Sequence, residues 1–292
     1  MLKKCKIFLI LTNNVNNPKL DLIFAGRYVI LIWVIFVIDE LKIKKELKTE
    51  YFGQNIVCRE SVDSTNLLAK RNSELDEGTL FVADTQTNGK GRLGREWHSE
   101  SGDGIYMSIL LKPDISPEDI PKITLLCGIA VSRIIENSKI KYPNDILLNS
   151  KKVCGILCEI SYTQKNQPIV VCGIGINVNN KNFHSELSQK ATSLFLETKK
   201  EHSREEIIRN LLIEFEVMYI DFLKNGIASF MNEYRKKCIN IGTDVKAFLN
   251  GKEIQGKCTT ITNDGAIVIE TPEKTYKINT GEISVRGIYG YV

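Results

Sequence analysis

Histidine is scarce in this chain: three among 292 residues, at His98, His184 and His202. None is spaced with another histidine or a cysteine as metal ligation or a catalytic triad requires, so those chemistries have no support here. The chain also has no CxxC pair. Its eight cysteines are scattered, mostly inside apolar runs, which excludes a secreted disulfide framework and reads as reduced, buried thiols of a cytoplasmic protein. Cys154 and Cys158 come closest to a metal pair, but no histidine stands near them, and no metal ligands are expected. A run long enough to span a bilayer is missing too. The longest, YVILIWVIFVI over residues 28–38, holds eleven residues against the roughly 20 that a helix needs, and Arg27 interrupts its upstream extension. Charged residues follow it where a cleavage site would need small ones, so it reads as a packed β-type segment or an extension outside the native fold, and a membrane partner is not expected. Charge of one sign is not in excess: 39 basic against 35 acidic residues leave a net +4 and no broad nucleic-acid footprint. Residues 1–46 carry no helix-turn-helix pattern, so DNA is not an expected partner.

What remains is a chain with 43% hydrophobic residues, long enough for a sizeable core and two domains. After an extension over residues 1–46, residues 47–237 read as a mixed α/β domain. DSTNLLAKR offers Asp63 or Ser64 as the N-cap of a short helix. GTLFVAD and GIYMSILL read as strands, and SPEDIPKITLLCGIAVSRIIEN as a buried helix. IKYPNDILLN and KVCGILCEI read as a two-stranded hairpin around NSKK, with Lys141 as a solvated strand end, and PIVVCGIGINVN as a further strand. Residues 203–237 return to helix behind SREE, which resembles a capping box. From 238 to 292 short β-runs alternate with turn signals such as Asn250-Gly251 and Asp264-Gly265, the pattern of a small, partly open barrel.

Between the two strands lies QTNGKGRLGREWHS, from Gln86 to Ser99, with three glycines and three cations in the seven residues 89–95. Gly89, Gly91 and Gly94 allow positive φ and close backbone approach, while Lys90, Arg92 and Arg95 supply charge. Such a loop suits an anion, yet it is not a Walker A motif, because strands bound it and no Gly-Lys-Ser/Thr opens a helix. On its own it reads equally well as a solvated turn.

DSTN, ADTQTNGKGRLGREWHS, KYPNDILLNSKKVCGILCE and GIGINVN follow one another in order, and together they resemble the biotin protein ligase family from about Leu47 to Val292. The resemblance implies an α/β (α+β) fold: a catalytic domain on a mixed β-sheet with helices packed on one side, then a C-terminal SH3-like barrel. It implies ATP-dependent activation of biotin as biotinyl-5'-AMP and transfer to a lysine of a biotin carboxyl carrier domain, with ATP and Mg²⁺ required. A homodimer is compatible with the family. The transition state of adenylation is rich in negative charge, so preorganised cations and Mg²⁺ are the main catalytic tools.

By resemblance, Lys152, Arg92, Lys90 and Asp145 carry the chemistry, with Asp145 positioning or deprotonating the acceptor ammonium. Ser64, Thr65, Asn66 and Gln86 match positions that contact biotin, together with Gly91, Arg92, Lys152 and Gly173. Lys90, Arg92, Arg95, Trp97, Asn144, Asn177 and Arg286 match the ATP side. Helix capping by Ser64 and turn roles for Asn144 and Asp145 stay open beside these. Two departures from the family pattern stand out. Lys90 and Leu93 replace arginines and weaken the grip on an anion, and Tyr142 replaces a tryptophan but keeps an aromatic platform. Two other functions remain compatible: a biotinyl-AMP-dependent repressor and a lipoate ligase on a related fold.

Overall fold

A computed structural model describes residues 7–10, 19–25, 28–34, 38–100, 102–165, 167–184, 187–249, 252–280 and 283–287. Its first strands, β1 (Ile7–Ile10), β2 (Lys19–Ala25) and β3 (Tyr28–Val34), form a three-stranded sheet in the order β1-β3-β2. The start of the apolar run is thus a strand. The helix α1 (Glu40–Lys44) follows, capped by the Asp39 carboxylate, which accepts from the Leu41 N–H at 2.9 Å. Among the described residues no helix is long and apolar enough to cross a membrane.

A seven-stranded mixed sheet carries the next part of the chain. It is built from β4 (Ile56–Val62), β5 (Leu80–Gln86), β6 (Gly104–Leu111), β7 (Lys139–Lys141), β8 (Asp145–Leu148), β9 (Lys151–Tyr162) and β10 (Pro168–Asn177), in the order β4-β5-β6-β10-β9-β8-β7. Only β4 and β5 run parallel; the other pairs are antiparallel. The stretch IKYPNDILLN, read as one strand, breaks at Tyr142-Pro143 into β7 and β8, which pair with each other. Pro143 cannot donate to a ladder, and the break delivers Asn144 and Asp145 to the end of β8.

Every residue of β6 is buried, so both faces of the sheet are covered there. On one face Ile105, Met107 and Ile109 join the main core with α3 (Lys122–Ile134) and α5 (Arg204–Asn225), the two long helices packed to one side. On the other, the short α2 (Thr65–Arg71) sets Ala69 against Phe81, Leu110 and Val171. The period-2 alternation of the strands assigns alternate residues of β5, β6 and β10 to these two layers. The helix expected over residues 203–237 opens as SREE indicates, the Ser203 hydroxyl accepting from the Glu206 N–H at 3.2 Å. It ends at Gly226, whose φ of 73° leaves the helical region, and resumes in α6 (Met231–Lys237). The five-residue α4 (Leu194–Thr198) precedes it.

Glu216, buried on α5, accepts from the N–H groups of Glu50, Tyr51 and Phe52 at 2.6, 3.0 and 2.7 Å, and so fastens the approach to β4 onto the long helix. Glu216→Gln keeps the shape but replaces an acceptor with a donor against those N–H groups. It is expected to lower the unfolding free energy by about 1–2 kcal/mol in urea, with an unchanged m-value; an unmoved midpoint would show that water satisfies them instead.

The last five strands, β11 (Asp244–Leu249), β12 (Lys252–Ile261), β13 (Ile267–Glu270), β14 (Thr275–Ile278) and β15 (Ile283–Gly287), pair antiparallel in the order β14-β13-β12-β11-β15 as the SH3-like barrel. Its apolar residues continue the main core, and the Tyr142 hydroxyl donates to Gly265 O at 3.2 Å across the junction. That contact fixes the barrel beside the end of the large sheet.

Candidate active site

The α2 face of the sheet has a polar centre where β6, β9 and β10 meet. Ser108 is the one serine in β6; it donates to Asn66 Oδ1 at 2.6 Å and lies 2.8 Å from Thr65 Oγ1. The Asn66 amide donates to Leu157 O at 3.2 Å and to Glu159 Oε2 at 2.7 Å. Burial pushes the Glu159 carboxyl upward, but hydrogen bonds from Lys70 and Asn66 outweigh it and hold the group below its ordinary range. Gln86 accepts from the Thr65 N–H at 2.8 Å and donates to Ser99 Oγ at 2.8 Å. Ser64 occupies the N-cap position of α2 but makes no capping hydrogen bond with its side chain, contrary to the capping expectation. Gly173 lies under this network: a Cβ there would come within 2.3 Å of Asn66 Oδ1. Ser64, Thr65, Asn66, Gln86 and Gly173 border a small cavity of about 50 Å³, with Ser108 and Glu159 behind them.

The glycine-rich segment is a tight hairpin folded against the sheet. Lys90 and Glu96 face each other as a β-bridge, Gly91 N–H donates to Arg95 O at 2.7 Å, and Trp97 N–H donates to Gly89 O at 2.9 Å. Its tip is a 3-10 turn, Arg92–Gly94, with Leu93 exposed at positive φ. Trp97 lies across Gly155 and Gly175, which oppose each other in the β9–β10 register; added Cβ atoms would meet its ring at 2.8 and 2.5 Å. The two glycines make a flat seat for an indole that a side chain would lift.

Beside the hairpin a larger cavity of about 660 Å³ opens toward the barrel, with Arg95, Tyr142, Asn177 and Val285 among its walls. Five residues line both cavities: Gly91, Arg92, Trp97, Asn144 and Lys152. At this junction Lys152 Nζ stands 2.6 Å from Asp145 Oδ1 and 5.1 Å from the Trp97 ring centroid. Arg92 donates to Asn144 Oδ1 and to Thr280 O, each at 3.4 Å, so it bridges the large sheet and the barrel. Burial lowers its guanidinium below the ordinary value, and Tyr142 and Asp145 oppose that shift.

Of the residues singled out in the sequence, Ser64, Thr65, Asn66, Gln86, Lys90 and Gly173 border the small cavity; Arg95, Asp145 and Asn177 border the large one. Lys90 is not among the residues that line the large cavity. Asn177 donates to Thr192 O at 3.0 Å and anchors the end of β10. Arg286 is on β15 opposite Lys246, and its side chain lies outside the described residues. Lys141 is not a solvated strand end: it is 4% exposed and lines the large cavity. Sequence reasoning also missed Ser108 and Glu159. The signal for Ser108 was a small polar residue in a strand buried on both faces; Glu159 reaches Asn66 across 93 residues and left no local mark.

A hydrogen-bonding pocket joined through a cationic neck to a larger cavity suits an enzyme that activates a carboxylic acid against a nucleotide. Residues 58–177 match the biotin/lipoate A/B protein ligase family, and residues 241–286 match the biotin protein ligase C-terminal domain. The bifunctional ligase/repressor BirA of Bacillus spizizenii is 37% identical over 257 residues, 85% of this chain and 79% of that protein. A biotin--[acetyl-CoA-carboxylase] ligase of Mycobacterium tuberculosis is 28% identical over 240 residues, covering 78% of this chain and 87% of that one. Among solved structures, the biotin protein ligase of Aquifex aeolicus in complex with biotin and ATP superposes with a TM-score of 0.72 at 34% identity, covering 80% of this chain and 99% of that one. The chain belongs to the biotin protein ligase family.

Proposed function

We propose that this chain activates biotin with ATP as biotinyl-5'-AMP and transfers the acyl group to a specific lysine of a biotin carboxyl carrier domain. The observation that carries the reading is the shared neck, where Lys152 and Arg92 line both cavities. The small cavity takes the biotin rings: the Ser64, Thr65, Asn66 and Gln86 groups suit a ureido N–H and carbonyl, and Gly173 lets the ligand approach the strand. The large cavity takes the nucleotide, with Arg95, Trp97, Asn144 and Asn177 among its walls, so the carboxylate and the α-phosphate meet at the neck. There the Lys152 and Arg92 cations, with Lys90 at the hairpin base, oppose the negative charge that develops. Asn144 would offer Mg²⁺ an amide oxygen beside the phosphates, whose charge the ion would neutralise, while the Asp145 carboxylate is held by Lys152. Asp145 orients Lys152 and is our candidate to accept from the acceptor ammonium. The folded hairpin excludes water from a mixed anhydride that hydrolyses readily.

Beyond Gly155, β9 pairs with β10 alone, and Ile160 and Tyr162 on this stretch are exposed. This edge is where a carrier domain would add its own strand. The deciding experiment supplies the chain with ATP, Mg²⁺ and either biotin or lipoate and identifies the acyl-adenylate by mass spectrometry. Biotinyl-AMP is expected, and exclusive lipoyl-AMP would overturn the assignment. The names of the Bacillus relatives favour a second, repressor role, whereas no described residue before Ile38 is helical. Specific retardation of DNA upstream of biotin genes by the chain with biotin and ATP would add that role.

Trp97 provides a further check on the site. Gly175→Ala is expected to displace the indole, shift its fluorescence emission and raise the KM for ATP several-fold; unchanged emission and KM would mean that the ring has another seat.

A further inference from the structure

The opposite face of the sheet, under the polar centre, holds three thiols that the activation chemistry does not use. The sulfurs of Cys127 on α3, Cys158 on β9 and Cys172 on β10 lie within 4.8 Å of one another. Cys158 and Cys172 oppose each other directly in the antiparallel register, with their sulfurs 3.5 Å apart. Facing residues in such a pair have Cα atoms about 4.5–5.5 Å apart, inside the window of about 4.4–6.8 Å that a disulfide accepts. Side-chain rotation alone can close the remaining gap to an S–S bond of about 2.05 Å.

We propose that Cys158 and Cys172 form an oxidation site that closes as an intramolecular disulfide under a hydroperoxide. A thiophilic metal fits less well. Three thiolates around a divalent ion would leave net negative charge among Ile, Leu and Val side chains, whereas a disulfide leaves the core neutral. Cys158 is partly exposed whereas Cys127 and Cys172 are buried, so it is the sulfur a hydroperoxide meets, and hydrogen bonds to Cys127 and then Cys172 hold its thiol below the ordinary pKa. Its thiolate attacks the peroxide oxygen, the O–O bond breaks, and the sulfur becomes a sulfenic acid as the alcohol leaves with a proton. The Cys172 sulfur then attacks Cys158, the S–S bond forms, the S–O bond breaks, and hydroxide leaves with the Cys172 proton as water. Two thiols and one hydroperoxide thus give one disulfide, one alcohol and one water, with two electrons passing from sulfur to the peroxide.

The crosslink lies next to the rung Leu157–Gly173, which carries Asn66 on the other face: Leu157 O accepts its amide, and Gly173 leaves room for its oxygen. Tightening the neighbouring rung shifts that floor and weakens binding in the small cavity. This consequence rests on the biotin reading above; the crosslink does not.

The test exposes the full chain to a stoichiometric hydroperoxide, counts free thiols, maps the tryptic peptides by mass spectrometry, and measures biotin affinity before and after. Loss of two thiols, a peptide joining Cys158 to Cys172, and a several-fold rise in the biotin Kd that dithiothreitol reverses are expected. Cys172→Ala should bind biotin normally and give neither the link nor the rise. Absence of the 158–172 peptide overturns the proposal. So does one zinc ion per chain that shields all three thiols until a chelator removes it. An unchanged Kd in the linked protein overturns the coupling to the small cavity. Failure of the reduced chain to bind biotin at all would instead overturn the functional reading and leave the mapped link standing.

Discussion

Lys152→Ala is expected to lower biotinyl-adenylate formation by about a hundred- to a thousand-fold, the loss that follows when one preorganised donor to a developing charge is removed. The geometry makes the effect large for two reasons. Lys152 lines both cavities, so it stands where the carboxylate and the α-phosphate must meet. Its ammonium is also 2.6 Å from Asp145, so its removal leaves a carboxylate facing the incoming phosphates and adds repulsion to the lost attraction. Lys152→Arg is expected to recover only part of the rate. The seat is tight, since a Cβ on Gly155 would lie 3.0 Å from Lys152 Nζ, and a planar guanidinium does not occupy the space of a compact ammonium. Biotin-dependent exchange of pyrophosphate into ATP measures the step, with thermal unfolding run alongside to separate it from folding. An alanine variant within tenfold of the parent rate would remove Lys152 from the mechanism.

The parts of this site that sequence made legible are those specified locally. Three glycines and three cations within seven residues require an exposed, sharply turning, positive segment, and the hairpin 89–97 is that segment. GIGIN was legible as the end of a strand, and in that strand Gly173 and Gly175 lie under Asn66 and Trp97 while Ile174 between them joins the main core. What remained hidden depends on long-range register. Glu159 serves Asn66 only because β9 lies beside β10 and α2 crosses above both. Cys154 and Cys158, close in sequence, looked like the nearest pair of thiols. The strand pairing brings Cys158 to Cys172 and the helix α3 brings Cys127, while Cys154 stays apart from that group. Lys141 was misjudged for a similar reason: a three-residue strand gives no periodicity from which burial can be read.

Arg92→Ala is expected to release biotinyl-AMP about ten- to a hundred-fold faster than the parent chain. Arg92 lies at the tip of the hairpin and donates to Asn144 on the large sheet and to Thr280 on the barrel, so one side chain holds the covering segment to both neighbours. With it gone, the hairpin retains its own bridge between Lys90 and Glu96 but loses these anchors, and the neck opens to water. Two charge-assisted hydrogen bonds at 3.4 Å are long, so each contributes at the lower end of its class; the guanidinium's charge at the neck adds to them when an anion is bound. Formation of the adenylate and its retention then respond differently, because Lys152 still faces the reacting groups while the cover no longer stays down. Loading the variant with biotin and ATP, diluting it into unlabelled adenylate and following the loss of label gives the off-rate; free biotin and AMP report hydrolysis after escape. Parent-like retention together with parent-like synthesis would show that the hairpin closes without Arg92, and that its two anchors hold the barrel rather than the cover.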